Sequence, residues 1–256
     1  MIRHPDGSAG DANYGSIGTG YSSYRQPDPR IMAYVERALG QARTVLNVGA
    51  GSGSYEPLDR QVTAVEPSAS MRAQRPPHLS VAIDAVAEDL PFPDKRFDAS
   101  MATFTVHQWT DLDRGLAEMR RVTRGLVIVL TCDPTLVARF WLNDYAPQVL
   151  ETESRRYPSM ERIRTLLGGR GQDLSVPIPL DCRDGFNEAY YGRPERLLDR
   201  RARLACSAWS FVDQETRREY VDHLRRDLDN GRWDARHAHL RVQPEFDGSL
   251  RLVIAP

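Results

Sequence analysis

Lysine is almost missing from this chain: of 34 basic residues among 256, only Lys95 is lysine. Two explanations stay open, a genome rich in G and C, and selection for the bidentate anion recognition that a guanidinium provides. Neither charge sign is in excess, since 35 acidic residues leave a net charge of -1 and a pI near 6.6. That balance argues against nucleic acid or an anionic membrane surface as a bulk partner and points to a small or neutral one. Cysteine is scarce as well. Cys132, Cys182 and Cys206 are widely spaced, odd in number and without a CxxC pair, so the chain is read as reduced, with neither a disulfide framework nor a cysteine metal site. No apolar run approaches the ~20 residues of a membrane span. The opening MIRHPDGSAGDAN has no signal-type apolar core, so a cytoplasmic protein is expected.

What is present is organised around VLNVGAGSGSYE, residues 45 to 56, an apolar strand running into a glycine-rich turn and then a helix start. Gly49, Gly51 and Gly53 alternate with small residues, so the backbone can take positive φ and a ligand can approach the main chain. With free N–H groups at the following helix start, such a turn is a nucleotide site in an α/β domain. A dinucleotide fingerprint needs a glycine at its sixth position. Counting from Gly49, that position is Ser54, so a GxGxG pattern fits better than the dehydrogenase one.

The flanking chain reads as alternating strands and helices. Asp28 caps a helix that Pro29 opens and Gly40 stops, with Ile31, Val35, Ala38 and Leu39 on one face. The strand VTAVE runs to Glu66; a helix covers 68 to 74, and Pro76 and Pro77 end it. Strands are predicted at 79 to 83, at ASMATF, at LVIVLT, at SVPIPL and at the terminal LRLVIA. Between ASMATF and LVIVLT, Leu112, Leu116, Met119 and Val122 mark a helix with Asp111 and Asp113 at its start and arginines near its end. Beyond Thr131 comes extra helical material, including Ile163, Leu166 and Leu167 before Gly168-Gly169. An amphipathic run over 216 to 228 belongs to an insertion of roughly fifty residues, and insertions at this edge of a parallel sheet usually build substrate pockets.

The GxGxG turn, Glu66, the Ala87-Glu88 pair before Leu90-Pro91-Phe92, Asp98, and Glu118 with Arg121-Val122 together resemble the class I S-adenosylmethionine-dependent methyltransferases. The resemblance is to the small-molecule branch that is similar to the ubiquinone and menaquinone C-methyltransferases. It covers residues 29 to 131 and, loosely, the last strand. It implies an α/β, Rossmann-like, seven-stranded, mostly parallel sheet with helices on both faces and a helical cap insertion. Residues 1–28 are expected to form a flexible lid, 29–134, 172–182 and 248–256 the core, and 135–171 and 183–247 the cap. The implied cofactor, S-adenosyl-L-methionine, would lie on Asn47, Gly49, Ala50, Gly51 and Gly53. Glu66 and Pro67 would follow at the ribose, Ala87 and Glu88 at the adenine, and Thr103 and Phe104 at the end of the fourth strand. Where the family often has Asp before Ala-Glu, this chain has Val86, which leaves the adenine amino group to Glu88 or Asp84.

Methyl transfer needs an acceptor held about 3–3.5 Å from the methyl carbon with water kept out. His107, just past the fourth strand, is the candidate base; a structural histidine beside Trp109 is the other reading. Tyr21, Tyr24 and Arg25 upstream, Trp109, and Phe186, Tyr190, Tyr191 and Arg193 in the insertion are read as the acceptor pocket, with Arg25 or Arg193 pairing an anionic group. Surface or cap packing is the alternative for these. His237-x-His239 has too little around it for a metal, and none is expected. The expected partner is a small-molecule acceptor of a monomer or homodimer, with no nucleic acid and no membrane. A non-catalytic binder of the cofactor and a macromolecular methyltransferase are the alternatives.

Overall fold

The stretch Thr44–Val48 is buried on both faces from its second residue onward, which places it at the centre of a sheet. In the computed structural model, which describes residues 4–6, 10 and 20–256, the strands are β1 (Thr44–Val48), β2 (Gln61–Val65), β3 (Ala99–Thr103), β4 (Val127–Cys132), β5 (Gln172–Ser175), β6 (Ile178–Pro179), β7 (Glu245–Phe246) and β8 (Leu250–Ala255). Most of the first 20 residues of the expected lid lie outside the described residues. The main sheet has the order β2-β1-β3-β4-β8-β5. Neighbours are parallel from β2 to β4, whereas β8 is antiparallel to both β4 and β5.

Seven strands were expected in this sheet; six form among the described residues. The predicted strand at 79 to 83 contributes one bridge, Val65 to Ile83. Val81 is 92% exposed, so an extended segment here has no buried face to hold its register. The predicted strand SVPIPL splits: β5 stays on the sheet, while β6 pairs with β7 in a separate two-stranded sheet. Pro177 and Pro179 lack the N–H donors that a continuous ladder would use.

Helices cover both faces of the sheet. After the short α1 (Tyr21–Tyr24), α2 (Pro29–Leu39) is capped by Asp28, whose carboxylate accepts from Arg30 N at 2.9 Å, and closed by Gly40 N donating to Glu36 O at 3.1 Å. Its Ile31, Val35 and Leu39 pack with Val45, Ile128, Leu130 and Leu252. Burying each such side chain stabilises by about 1.5–3 kcal/mol. After α3 (Ala69–Arg72), α4 (Leu112–Val122) starts at its cap Asp111. Leu116, Met119 and Val122 face Leu46, Val48, Val127 and Val129. The strand residues alternate between the two cores, as a period of two requires.

The inserted chain forms α5 (Pro147–Arg156), α6 (Met160–Leu166), α7 (Arg200–Leu204), α8 (Gln214–Asp229) and α9 (Arg232–His237), joined by short 3-10 turns. Helix α6 packs Ile163 beside α4, on the second face. The others extend the first core: Leu150, Trp209, Tyr220, Leu224 and Trp233 are continuous with Ile31 and Leu130. No described helix is long and apolar enough to cross a membrane.

Candidate active site

At the C-terminal ends of β1, β2 and β3 the chain leaves a cleft of about 820 Å³, counting its open mouth. The glycine turn forms one wall. Gly49 and Gly51 have φ of +69° and +51°, where a Cβ is strained. A Cβ on Gly49 would also lie 2.1 Å from Thr105 Oγ1, so only glycine lets the turn close on the segment after β3. Gly51 presents its backbone to the cleft, with Ala50 beside it.

Glu66 follows directly on β2 and is 8% exposed. Its two oxygens accept from Gly51 N and Ser68 N, both at 2.8 Å. Burial raises its pKa, and these two backbone donors oppose the rise. Each oxygen keeps a further lone pair for a ligand hydroxyl. Pro67, Ala87 and Glu88 continue the wall. Glu88, 1% exposed, is held by Asp111 N at 3.0 Å, while Asp84 pairs with Arg72 at 3.2 Å and is not among the cleft's lining residues. Val86 lines the cleft where the resemblance led one to expect an acid.

Thr103 and Phe104 close the third side. Phe104 has φ +52°, a conformation rare for a bulky residue and worth roughly 1–2 kcal/mol of strain. It persists because the ring is held by three neighbours: Arg25 at 5.0 Å, Phe186 at 5.3 Å and Tyr55 at 6.0 Å from its centroid. Arg25 also covers Tyr21, at 5.5 Å. Its Nε donates to Asp184 Oδ1 at 2.5 Å, and Asp184 accepts from Tyr55 Oη at 3.0 Å. Arg25 is thus paired before any ligand arrives.

Of the predicted acceptor residues, Tyr21, Arg25 and Trp109 line the cleft. Tyr24, Phe186, Tyr190, Tyr191 and Arg193 do not. Tyr24 donates to Asp199 at 2.7 Å. Tyr191 is fully buried and donates to Gln243 O at 2.6 Å, stacked on Phe246. Tyr190 is buried under Arg193, whose guanidinium donates to the carbonyls of Cys182 and Ala189. These residues make packing and hydrogen-bond contacts away from the cleft wall, with Phe186 behind Phe104. Two predicted cofactor residues also stand back from the wall. Asn47 is fully buried and donates to Glu56, which takes Arg75 as well, bracing the turn from behind. At Gly53 a Cβ would lie 2.2 Å from Leu79 Cδ1, so it serves the packing of the turn.

His107 is not among the lining residues. Its ring meets Tyr157 edge-on at 4.7 Å, its Nε2 lies 2.8 Å from the Gln108 amide nitrogen, and its Nδ1 is buried with no partner. Burial lowers its pKa well below the ordinary value, with Arg156 and Arg25 pushing the same way, so the ring is neutral at physiological pH. Gln108, Thr105 and Met71, which sequence reasoning passed over, do line the cleft. Thr105 and Gln108 flank His107 and could have been found by proximity; Asp184 could not, being 159 residues from Arg25. No cluster that could hold a metal occurs among the described residues.

The family model described as a methyltransferase domain matches residues 46–130, the span that supplies most of this wall. Over nearly its whole length the chain is similar to a solved structure from Anabaena variabilis, a methyltransferase assigned to an antibiotic biosynthesis pathway. The identity is 29% and the TM-score 0.85, covering 91% of this chain and 99% of that one. This chain is an S-adenosylmethionine-dependent methyltransferase. A candidate histamine N-methyltransferase from Thermotoga maritima shares the methyltransferase's fold at 16% identity and TM-score 0.54, covering 94% of each chain. No curated protein matches the methyltransferase in sequence. Its cleft fits the cofactor's chemistry: a buried carboxylate has lone pairs left for two ribose hydroxyls, and the turn beside it tolerates no side chain at Gly49.

Proposed function

We propose that the enzyme methylates carbon, oxygen or nitrogen of a small organic acceptor, with S-adenosyl-L-methionine as donor. The observation that carries this reading is the composition of the wall opposite the glycine turn, where Tyr21, Phe104, Trp109 and the paired Arg25 form an aromatic surface suited to a compact, planar or apolar molecule. The near-neutral charge offers no docking field for a polymer. The Anabaena relative's assigned pathway supports a secondary metabolite as acceptor, and a quinone precursor remains within the original resemblance.

S-adenosylmethionine supplies an electrophilic methyl group on sulfur. Glu66 would hold the ribose hydroxyls, Ala87 and Glu88 the adenine side, and the backbone at Gly49 to Gly51 the amino-acid portion. Tyr21, Arg25 and Phe104 would exclude water and orient the acceptor. His107 is proposed as the base on two observations, that it is neutral and that its Nδ1 has no protein partner, although it stands behind Gln108 and not on the cleft wall. Residues 1–28 are proposed as a lid. In support, Asp6 accepts from Ser68 Oγ at 2.7 Å and from Ser70 Oγ at 2.9 Å, next to Glu66, and Tyr21 faces the cleft.

Incubation of the purified enzyme with methyl-labelled S-adenosylmethionine and extract of its source tests the acceptor class. Label is expected in an extractable small-molecule fraction and absent with Gly51→Arg. Label found only in polymer would overturn the small-molecule reading.

A further inference from the structure

A second hollow lies between α7, the turn at residues 207–211 and the first half of α8, and it shares no lining residue with the methyl-transfer cleft. Counting its open mouth it encloses about 1100 Å³. Its wall carries Arg200, Arg203, Arg217 and Arg218 against one carboxylate, Asp222, with Trp209 beneath. Asp222 turns toward Arg225, at 4.0 Å. Helical spacing explains the convergence: Arg217 and Arg218 stand one turn before Val221 and Asp222 on α8, and Arg200 and Arg203 share one face of α7.

Arg203 decides the character of the site. It is 7% exposed. Its Nη1 donates to Leu197 O at 2.6 Å, and its guanidinium lies 5.6 Å from the Trp209 centroid and 5.7 Å from that of Tyr220. Among the described residues it makes no ion pair. Burial lowers its pKa. Arg217 spends Nη2 on the carbonyls of Val212 and Ser210, while its Nε is buried without a partner. Arg25 and Arg75, also largely buried, are neutralised by Asp184 and Glu56, whereas Arg120 and Arg193, like Arg203, give their protons to backbone carbonyls. What sets Arg203 apart is that three further arginines share its hollow. With 35 acidic residues available, four arginines gathered around one hollow, one of them buried with no ion pair and opposed only by the field of Asp199, are a costly arrangement for stability alone.

We propose that this hollow binds a phosphate-bearing small molecule, with its phosphate among Arg200, Arg203, Arg217 and Arg218 and an apolar or aromatic body against Trp209. A dianion with several acceptor oxygens matches the number and fork geometry of the guanidinium donors better than a single carboxylate does. Arg203 lies deep among its neighbours, where a compact ligand reaches and a protein surface does not. The inference does not depend on the methyl-transfer reading.

Calorimetric titration of the full chain with phenyl phosphate tests it. Saturable, salt-sensitive binding is expected, and the exposed pair Arg200→Ala/Arg218→Ala should weaken it by at least about tenfold. Arg226→Ala/Arg232→Ala, exposed and outside the hollow, should leave it within about twofold. Arg203→Met should abolish binding while Tm stays level or rises, because its removal breaks no ion pair. No saturable binding up to about 10 mM, equal weakening by both double variants, or a large fall in Tm with Arg203→Met would each overturn the proposal.

Discussion

Replacing Glu66 by Gln tests both the architecture of the turn and its reading as a ribose site. The carboxylate holds Gly51 N and Ser68 N at 2.8 Å each while 8% exposed. Glutamine has one acceptor oxygen, so one of the two N–H groups loses its partner and faces an NH₂ donor. A hydrogen bond to a charged group contributes about 1.5–3 kcal/mol, and an unsatisfied buried donor costs about 1–3 kcal/mol. Relief of the buried charge offsets part of this, so a net loss of about 2 kcal/mol is expected. In a chain of this length that lowers Tm by roughly 4–8 °C. The ribose hydroxyls would lose one charged acceptor, weakening S-adenosylmethionine by about 10–100-fold. Calorimetric titration at a temperature where both proteins are folded separates binding from stability. A Glu66→Gln protein with unchanged Tm and affinity within about threefold of the parent would refute both assignments.

Gly49→Ala should cost about 2–4 kcal/mol in urea unfolding, the sum of a strained φ and the clash with Thr105, and a second change, Thr105→Gly, should recover the steric part. Glu153 and Glu188 have pKa values raised from 4.5 to about 7, chiefly by burial and, for Glu153, also by Glu188. Raised carboxyls keep protons that the unfolded chain releases, so their contribution is full below about pH 4.5 and is lost as pH rises through about 7. The urea midpoint should therefore fall between pH 5 and pH 8, with a shallower fall in Glu153→Gln; an unchanged slope would count against the burial argument. If His107 is the base, His107→Asn lowers kcat by at least about 100-fold, and the acidic limb of the parent's pH profile lies below 6.5. A loss under about tenfold would make it structural.

The helix ends were legible because caps act within a few residues. Asp28, Pro29 and Gly40 bound α2, and Asp111 starts α4, where the sequence placed them. Strands buried on both faces were legible for a related reason: β1, β3 and β4 are short apolar runs with room for nothing else. The strand predicted at 79 to 83 was not, since an edge forms only if its partner and its buried face are both present, and Val81 faces solvent. Tyr190, Tyr191 and Arg193 carry the composition of a binding pocket, and nothing local distinguishes a tyrosine in a pocket from one closed into a core.

The sequence by itself determined the glycine turn, the acid that follows the second strand and where the central strands lie along the chain, because each rests on backbone conformation and periodicity over a few residues. Only the tertiary structure decided that Arg25 is paired with Asp184, that Asn47 braces the turn from behind and that His107 stands off the cleft. It also decided that four arginines from two helices converge on one hollow. Those are questions of which distant side chains share the same low-dielectric space, where a charge must find a partner, and chain order carries no record of that proximity.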